Sequence, residues 1–363
     1  MKKIFIYTCA FNKEKNANEI AQSRVIKLLN KLADSEVKFI YVNVFSAKGA
    51  FVKKTFKIIK DILGLLSPFC CGKIWFYPTM PLFPITEQKW KTAKLVYGVM
   101  NKIDKIFGIR HSVFLFDIPV EQTADLKIHN MSDKDIKRIK AFEKMVIENA
   151  DYVIDSGNFS ALCPKSDAAI IKTKFLPCLI DNTILTKKEF NDEVRIFYAG
   201  DMRRKYESDF LKHTIKNVNS KNIIAKFVLC GYALEDFKAF CNTREDVEFH
   251  GYVPNEVCDE LAAGCDFGLM IYPPEGYYNY VSTTKFVSYI RSGLPILSLD
   301  AAVIKENINY YKVGEAVEDK VFINTIIKWV SEKRYNKYKE NAEALRNKII
   351  SGKVFECLKE LWR

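Results

Sequence analysis

The stretch VSTTKFVSYIRSGLPILS, residues 281–298, contains the signals of a helix start, a helix end and a buried strand. Three hydroxyl residues of the kind favoured at a helix N-cap stand near its beginning: Ser282, Thr283 and Thr284. Apolar residues then recur at helical spacing. Gly293 lies where a glycine commonly ends a helix, shortly before Pro295. The apolar residues 294–297 therefore predict a short strand buried in a parallel sheet.

The start of this predicted helix has the chemistry of an anion site. A helix N-terminus offers free N–H groups and a partial positive charge, both of which suit an anion. Lys285 lies in the first turn, where its charge opposes the helix dipole unless a bound anion compensates it. Two hydroxyls and a lysine therefore predict a diphosphate clamp made of Thr283, Thr284 and Lys285. An ordinary capped helix with a solvated lysine is the alternative.

The same stretch resembles the donor-binding helix of GT-B fold glycosyltransferases. The matching positions are Thr284, Lys285, Phe286, Tyr289, Ile290, Gly293, Leu294 and Pro295. In that family the lysine and its neighbours hold the diphosphate of a nucleotide sugar. Many family 4 members also carry a pair of glutamates, but Tyr280 and Ser288 stand at those two positions here. The pattern is closer to bacterial galactofuranosyl- and glucosyl-transferases that lack this pair.

Two further segments extend the resemblance through the second half of the chain. The predicted strand 194–200 ends in glycine and two arginines follow it, as in the family's phosphate-contacting Gly-Asn-Leu-x-Lys segment. Residues 247–274 resemble the segment whose backbone, just after a glycine, faces the nucleotide base. The donor-binding residues that the resemblance implies are Gly200, Arg203, Arg204, Tyr252, Val253, Thr283, Thr284 and Lys285.

The run SVFLFDIPVE, residues 112–121, ends a predicted buried strand in Asp117. Polar groups at the carboxyl ends of parallel strands point into the ligand crevice of an open α/β sheet. Related transferases carry an aspartate here, which implies that Asp117 is a catalytic base or an acceptor-binding carboxylate. A cap on the following turn is the structural alternative. Asp133 and Asp135 resemble a metal-binding DxD motif, but they open a predicted helix, and we interpret them as first-turn acids.

Length and composition favour a two-domain intracellular protein. The 363 residues suffice for two cores, and 48% of them are hydrophobic. No apolar run reaches the about 18–20 residues of a membrane span, and residues 1–11 read as a first strand followed by a charged loop rather than as a signal sequence. Ten cysteines without CxxC spacing indicate reduced thiols, which places the protein in the cytoplasm and predicts no metal site.

The formal net charge of +12 is concentrated in the first domain. Residues 48–110 contain twelve Lys and Arg but only three acidic residues. Within them, residues 51–66 have the pattern of a basic amphipathic helix. The proline- and aromatic-rich segment 73–85 is predicted to be a rigid loop beside it. Such a surface can rest on an anionic membrane. A solvated lysine face is the alternative, and no nucleic-acid motif accompanies the charge.

Strands and helices alternate in both halves, which predicts an α/β protein with parallel sheets. The resemblance implies a GT-B architecture: two Rossmann-like doubly wound domains, a cleft between them, and a C-terminal helix that returns to the first domain. We expect domains at 1–181, joined by about 340–363, and at 182–339.

The implied activity is transfer of a sugar from a nucleotide donor, expected to be a UDP-sugar, to a saccharide acceptor, lipid-linked acceptors included, in bacterial surface polysaccharide synthesis. No metal and no cofactor are expected. The inverting or retaining outcome stays open. So do two alternatives, a sugar-nucleotide epimerase and a catalytically silent subunit that supports a partner transferase.

Overall fold

The computed structural model describes residues 2–8, 37–43, 73–79, 110–115, 132–163, 166–174, 193–220 and 225–361, with isolated positions between 28 and 108. The chain forms two compact units, one of Met1–Leu179 with Gly352–Arg363 and one of Ile180–Ser351. The last segment of the first unit is Gly352–Arg363.

The first unit is built on a parallel sheet in the order β2-β1-β3-β4-β5-β6. Its strands are β1 (Lys2–Thr8), β2 (Val37–Asn43), β3 (Lys73–Thr79), β4 (Arg110–Leu115), β5 (Tyr152–Asp155) and β6 (Ala169–Lys172). Helix α1 (Asp133–Glu148) and 3₁₀ turns at Phe159–Ala161 and Lys353–Leu361 complete the described part. Residues 111–115 of β4 are buried, as the continuous apolar run predicted for a strand covered on both faces.

The interpretation of residues 73–85 as a loop is wrong for its first half, because Lys73–Thr79 forms strand β3. The aromatic residues of this segment have a high preference for strands. Pairing with β1 ends at Phe76, so Pro78 lies where β4 is the only described neighbour of β3. A proline is tolerated at such a position because it has no N–H to donate to a second neighbouring strand.

Helix α1 begins where the sequence predicted, with Ser132 as its N-cap residue. The Ser132 hydroxyl accepts a hydrogen bond from the Asp135 N–H at 3.2 Å, which satisfies one of the unpaired groups of the first turn. Both carboxylates lie in that turn, where the helix dipole favours negative charge.

In the part of the chain that the structure describes, no helix is long and apolar enough to cross a membrane.

The second unit is a parallel sheet in the order β12-β11-β10-β7-β8-β9. Its strands are β7 (Val194–Ala199), β8 (Ala225–Cys230), β9 (Val247–Phe249), β10 (Phe267–Met270), β11 (Ile296–Leu299) and β12 (Gly314–Val317). Its helices are α2 (Lys205–Asn219), α3 (Glu235–Asn242), α4 (Asn255–Ala263), α5 (Thr284–Arg291), α6 (Ala302–Tyr311), α7 (Asp319–Ser331) and α8 (Asn336–Ser351). The strand order reverses between β7 and β10. Such a reversal is the switch point at which doubly wound sheets bind ligands, outside the carboxyl ends of the strands.

Helix α5 and strand β11 have the structure predicted from residues 281–298. Thr283 is the N-cap residue of α5, and the helix ends before Gly293, whose φ of 71° is the left-handed conformation that glycine adopts easily. The Leu294 N–H donates to the Tyr289 carbonyl at 3.0 Å, which closes the end of the helix. Every residue of β11 is buried.

Tyr289 anchors α5 at the switch point. Its side chain is 1% exposed. In the described part of the sheet, β10 pairs with β7 at two positions, Phe267 with Ile196 and Gly268 with Phe197. Beyond these pairs, the Tyr289 hydroxyl accepts from the Ala199 N–H at 3.2 Å and donates to the Leu269 carbonyl at 2.9 Å. One side chain of α5 therefore satisfies backbone groups of both strands and ties the helix to them.

Candidate functional site

Lys285 projects from the first turn of α5 into an aromatic box at the ends of β7 and β10. Its ammonium donates to the Tyr198 hydroxyl at 3.3 Å and lies 4.8 Å from the ring centres of both Tyr198 and Tyr272. Two such cation–π contacts hold a lysine that is 19% exposed without neutralising it. The ammonium therefore lies at the carboxyl edge of the sheet.

Gly200 leaves room for this lysine. It follows the last residue of β7, and a Cβ built on it would lie 2.7 Å from the Lys285 ammonium nitrogen and closer still to the Tyr198 hydroxyl. A side chain at this position would push the lysine out of its box. The structure thus brings together two residues that the sequence analysis predicted separately, and the reason for the glycine is close approach of a side chain.

A buried carboxylate, Glu207, lies beneath the cations. Its Oε1 is 3.4 Å from Arg204 Nη1 and its Oε2 is 3.9 Å from the Lys285 ammonium. The Tyr198 hydroxyl donates a short hydrogen bond to the same Oε2. The Glu207 side chain is 5% exposed. One carboxylate therefore contacts both cations and the phenol between them.

The sequence analysis missed Glu207, although the sequence contains a signal for it. Glu207 lies in the first turn of α2, where an acidic residue is usually explained by the helix dipole. Leu211, Thr214 and Val218 follow it at helical spacing, and all three are buried. The glutamate thus lies on the buried stripe of an amphipathic helix, where a charged residue needs a partner.

The Tyr198 phenol can donate to Glu207 only while it holds its proton. Burial raises the pKa of the Tyr198 phenol well above its usual value, and the negative charge of Glu207 raises it further. The phenol therefore keeps its proton and donates it in the hydrogen bond to Glu207. Its oxygen remains available to accept from Lys285.

The structure separates the two neighbouring arginines. Arg204 is the N-cap residue of α2, and its Nη1 contacts Glu207 and donates to the Tyr278 hydroxyl at 3.1 Å. Arg203 instead forms a bidentate ion pair with Asp201, through hydrogen bonds of 2.7 and 2.8 Å. These hydrogen bonds and the charge of Arg203 lower the pKa of the Asp201 carboxyl. Arg204 is therefore the arginine that shares a partner with Lys285.

Arg203 and Tyr252 belong to a second cluster of exposed side chains. The Arg203 guanidinium lies 4.6 Å from the centre of the Tyr232 ring, and Tyr232 stacks on Tyr252 with ring centres 4.6 Å apart and planes 14° apart. Tyr252 is 65% exposed. Val253 is the next residue and is half-buried. This cluster offers a flat aromatic surface beyond the carboxyl ends of β8 and β9.

The start of α5 supplies two hydroxyls beside Lys285. Thr283 is 7% exposed, and its Oγ1 is buried without a hydrogen-bond partner among the described residues. Thr284, the first residue of the helix, is exposed. A buried hydroxyl without a partner is costly unless a ligand satisfies it. Together with the free N–H groups of the helix, these residues form a set of donors suited to an anion.

Asp117 and the basic segment 51–66 lie outside the described residues. In the described part of the chain, the predicted donor residues divide into three groups that belong to the second unit. Gly200, Arg204 and Lys285 lie around Glu207 and Tyr198; Arg203 and Tyr252, with Val253 adjacent, lie around Tyr232; and Thr283 and Thr284 open α5.

Comparison with known proteins shows which family the segment containing this site resembles. Residues 196–359 match the family model described as "Glucosyltransferase 3-like, C-terminal domain". This segment contains the described site residues from Tyr198 to Lys285. None of the curated proteins matches the chain in sequence.

Solved structures resemble the chain over its whole length. Sucrose-phosphate synthase from Thermosynechococcus elongatus has a TM-score of 0.59 at 11% identity, over 100% of this chain and 99% of that one. HepE of Anabaena, solved with UDP and glucose, has a TM-score of 0.59 at 12% identity, over 99% of both chains. WaaG, a glycosyltransferase involved in lipopolysaccharide biosynthesis, has a TM-score of 0.57 at 13% identity, over 99% of both chains. The predicted GT-B fold is confirmed.

Proposed function

We propose that this chain, which has the GT-B fold of glycosyltransferases and a Glucosyltransferase 3-like C-terminal domain, transfers a sugar from a UDP-linked donor to a saccharide acceptor. One observation carries the proposal. Two cations, Lys285 and Arg204, lie within 4 Å of one buried carboxylate at the switch point of the second sheet, and the Thr283 hydroxyl at the start of α5 has no partner among the described residues. Such a set suits the two phosphates of a nucleotide sugar.

In this proposal the clamp acts on the leaving group. When the bond between sugar and diphosphate breaks, negative charge develops on the departing UDP. Lys285, Arg204 and the N–H groups at the start of α5 are already oriented toward that charge, so they stabilise the transition state without reorganising. The same groups would hold the donor diphosphate before reaction.

The exposed aromatic cluster supports the placement of the nucleobase. The backbone after Gly251 is the segment that faces the base in related transferases, and Tyr252 presents one face of its ring to solvent there. Stacking on an aromatic ring tolerates different bases. Val253, directly after Tyr252, contributes backbone N–H and C=O groups that can read the edge of the base.

The proposed acceptor is a saccharide of a bacterial surface glycan, lipid-linked acceptors included. The resemblance to WaaG, a glycosyltransferase involved in lipopolysaccharide biosynthesis, supports this choice of acceptor class. The basic first domain supports it as well, because lipid-linked acceptors present their sugars at a membrane surface.

Titration calorimetry with UDP, followed by hydrolysis assays over a panel of nucleotide sugars, tests the proposal. We expect UDP to bind with measurable heat and one donor to be consumed faster than the others. If UDP produces no heat with the folded protein, the donor site is lost and the chain is a silent GT-B subunit. Binding of UDP together with interconversion of the donor sugar, without transfer, would instead identify an epimerase.

Activity is expected to survive the removal of divalent metal ions. Cations and helix N–H groups can stabilise the leaving diphosphate in place of Mg²⁺. The measurement is turnover after dialysis against EDTA, with Mn²⁺ and Mg²⁺ added back to separate samples as controls. A loss of turnover that either metal restores would contradict the proposal and would make Asp133 and Asp135 candidates for metal binding.

We further propose that the protein docks reversibly on the inner face of an anionic membrane through residues 51–66. Each lysine near such a surface contributes about 1 kcal/mol, within a Debye length of about 10 Å. The four lysines of this segment are Lys53, Lys54, Lys57 and Lys60. Together these charges are expected to recruit the protein to the anionic membrane, and salt should weaken that binding.

Vesicle cosedimentation tests this docking. Binding to anionic vesicles is expected to fall as salt rises and to fall further when the four lysines become glutamine. The matched control replaces four exposed lysines of the second unit: Lys320, Lys328, Lys333 and Lys348. Equal binding to neutral and anionic vesicles, or an equal loss in both variants, would assign the basic segment to a solvated face.

A further inference from the structure

Glu207 contacts every charged group of the clamp from the side of the protein interior. One carboxylate oxygen faces Arg204, and the other accepts from Tyr198 and faces Lys285. The Glu207 side chain is 5% exposed, whereas the side chains of Lys285 and Arg204 are 19% and 38% exposed. The anion is therefore internal and the two cations lie between it and solvent.

We propose that Glu207 is the positioning residue of the diphosphate clamp, which it orients from behind without touching the donor. The inference rests on the proposed function, because it assigns Glu207 a role in binding the diphosphate of the UDP-sugar. Each cation contacts one oxygen of the Glu207 carboxylate, which fixes the positions of both positive charges before the donor binds. Such preorganisation lowers the free energy that binding would otherwise spend on ordering long side chains.

Among the residues that the structure describes, the contacts of the two cations leave hydrogen-bond donors for a ligand. An ammonium has three donors: that of Lys285 donates one to Tyr198 and faces Glu207 with another, so one remains. A guanidinium has five donors in a fixed fork. Arg204 uses Nη1 toward Glu207 and Tyr278, which leaves the other arm of the fork for phosphate oxygens.

The carboxylate also prevents repulsion between the cations it joins. Lys285 and Arg204 lie on opposite oxygens of one small group, so without Glu207 two like charges would face each other in a partly buried site. Two unpaired cations there would swing apart toward water, because desolvation without a counter-charge is costly. The clamp geometry then depends on the Glu207 charge and not only on its shape.

The sign of one substitution separates positioning from simple competition. If Glu207 merely competed with the diphosphate for the cations, Glu207→Gln would strengthen the binding of UDP, since a negative charge is removed from an anion site. If Glu207 positions the cations, the same substitution weakens binding, because the amide keeps the shape and loses the charge that holds them. We expect the second result, with Kd raised about tenfold, as for loss of a charge-assisted hydrogen bond.

The experiment is calorimetry with two probes, UDP and inorganic pyrophosphate, on the full chain. The variants are wild type, Glu207→Gln, Lys285→Ala and the double variant. Since Glu207 acts through Lys285 and Arg204, its replacement is expected to raise Kd by a clearly smaller factor when Lys285 is already alanine. A purely structural role would give factors that multiply, as for independent sites.

Glu248→Gln is the matched control. Glu248 also joins two cations of the second unit, with Oε2 2.5 Å from Arg195 and Oε1 3.2 Å from Lys226. Arg195 stands at the start of β7, whereas the clamp lies beyond the end of that strand. This substitution is expected to lower the melting temperature and to leave both Kd values within about twofold of wild type.

The outcomes distinguish the inference from the function on which it rests. If wild type binds neither probe, the proposed donor site fails and the inference fails with it. If wild type binds both probes and Glu207→Gln binds them equally or more tightly, the positioning role alone is overturned. The same holds if the factors by which Glu207→Gln and Lys285→Ala raise Kd multiply in the double variant. Should Glu207→Gln not fold, Glu207→Asp retains the charge and shortens the reach. A Kd raised several-fold then supports positioning, and an unchanged Kd overturns it.

Discussion

Replacing Lys285 with alanine is expected to weaken the binding of UDP by about 1.5–3 kcal/mol, or about 10- to 150-fold, the range for a hydrogen bond to a charged group. The lysine carries one of the two cations of the clamp, and its ammonium is held by the Tyr198 hydroxyl at 3.3 Å and by two aromatic rings. Because these contacts orient the charge without neutralising it, little energy is needed to present it to a diphosphate.

The loss should be specific to the diphosphate. Calorimetry with UDP measures the affinity, and thermal unfolding shows whether the variant is folded. Lys320→Ala is the control, because this lysine is 76% exposed and pairs only locally with Glu318. Unchanged UDP affinity in folded Lys285→Ala would remove Lys285 from the donor site. Arg204→Ala should give a similar loss, since Arg204 shares Glu207 with Lys285.

If Asp117 is the base of an inverting transfer, replacing it with asparagine is expected to lower turnover by about 100- to 10,000-fold, the contribution of a general base. In an inverting transfer, a carboxylate must take the proton of the attacking acceptor hydroxyl. Asp117 follows the buried strand β4 by two residues, and the sequence resemblance to related transferases implies a carboxylate role for it. An asparagine has nearly the same shape but cannot accept that proton, so catalysis falls while binding persists.

The measurement separates turnover from affinity. UDP affinity should stay within about twofold of wild type, because the proposed donor contacts belong to the second unit. Asp133→Asn is the matched control in the first unit, since Asp133 is exposed in the first turn of α1. Wild-type turnover in the Asp117 variant would reduce that residue to a structural cap or would indicate a retaining reaction without this base.

The local elements around the site could be predicted because their signals are contiguous. The N-cap hydroxyls, the apolar spacing and Gly293 specify a helix followed by a buried strand within one stretch of eighteen residues, and α5 and β11 follow that pattern. Ser132 likewise identifies the start of α1. In each case the physical cause acts between residues a few positions apart, so no knowledge of the remaining chain is needed.

Strand β3 shows where contiguous signals mislead. Three prolines in residues 73–85 indicate a loop when each is judged by itself. Whether a proline breaks a strand depends on which neighbours that strand has at that position, and the sheet order decides this. Pairing with β1 ends before Pro78 is reached, and β4 remains beside it.

The sequence alone determines that Lys285, Gly200 and two arginines stand beside predicted strand ends, since strand ends are local features. Only the folded sheet decides which of them meet. Lys285 and Tyr198 are 87 positions apart, and the reversal of strand order between β7 and β10 brings them together. The same packing brings Glu207 to 3.9 Å from Lys285, whereas its contact with Arg204 is a local one, three positions apart in the chain. Partner choice among charges depends on distances set by the strand order and by burial, which no periodic pattern along one chain records.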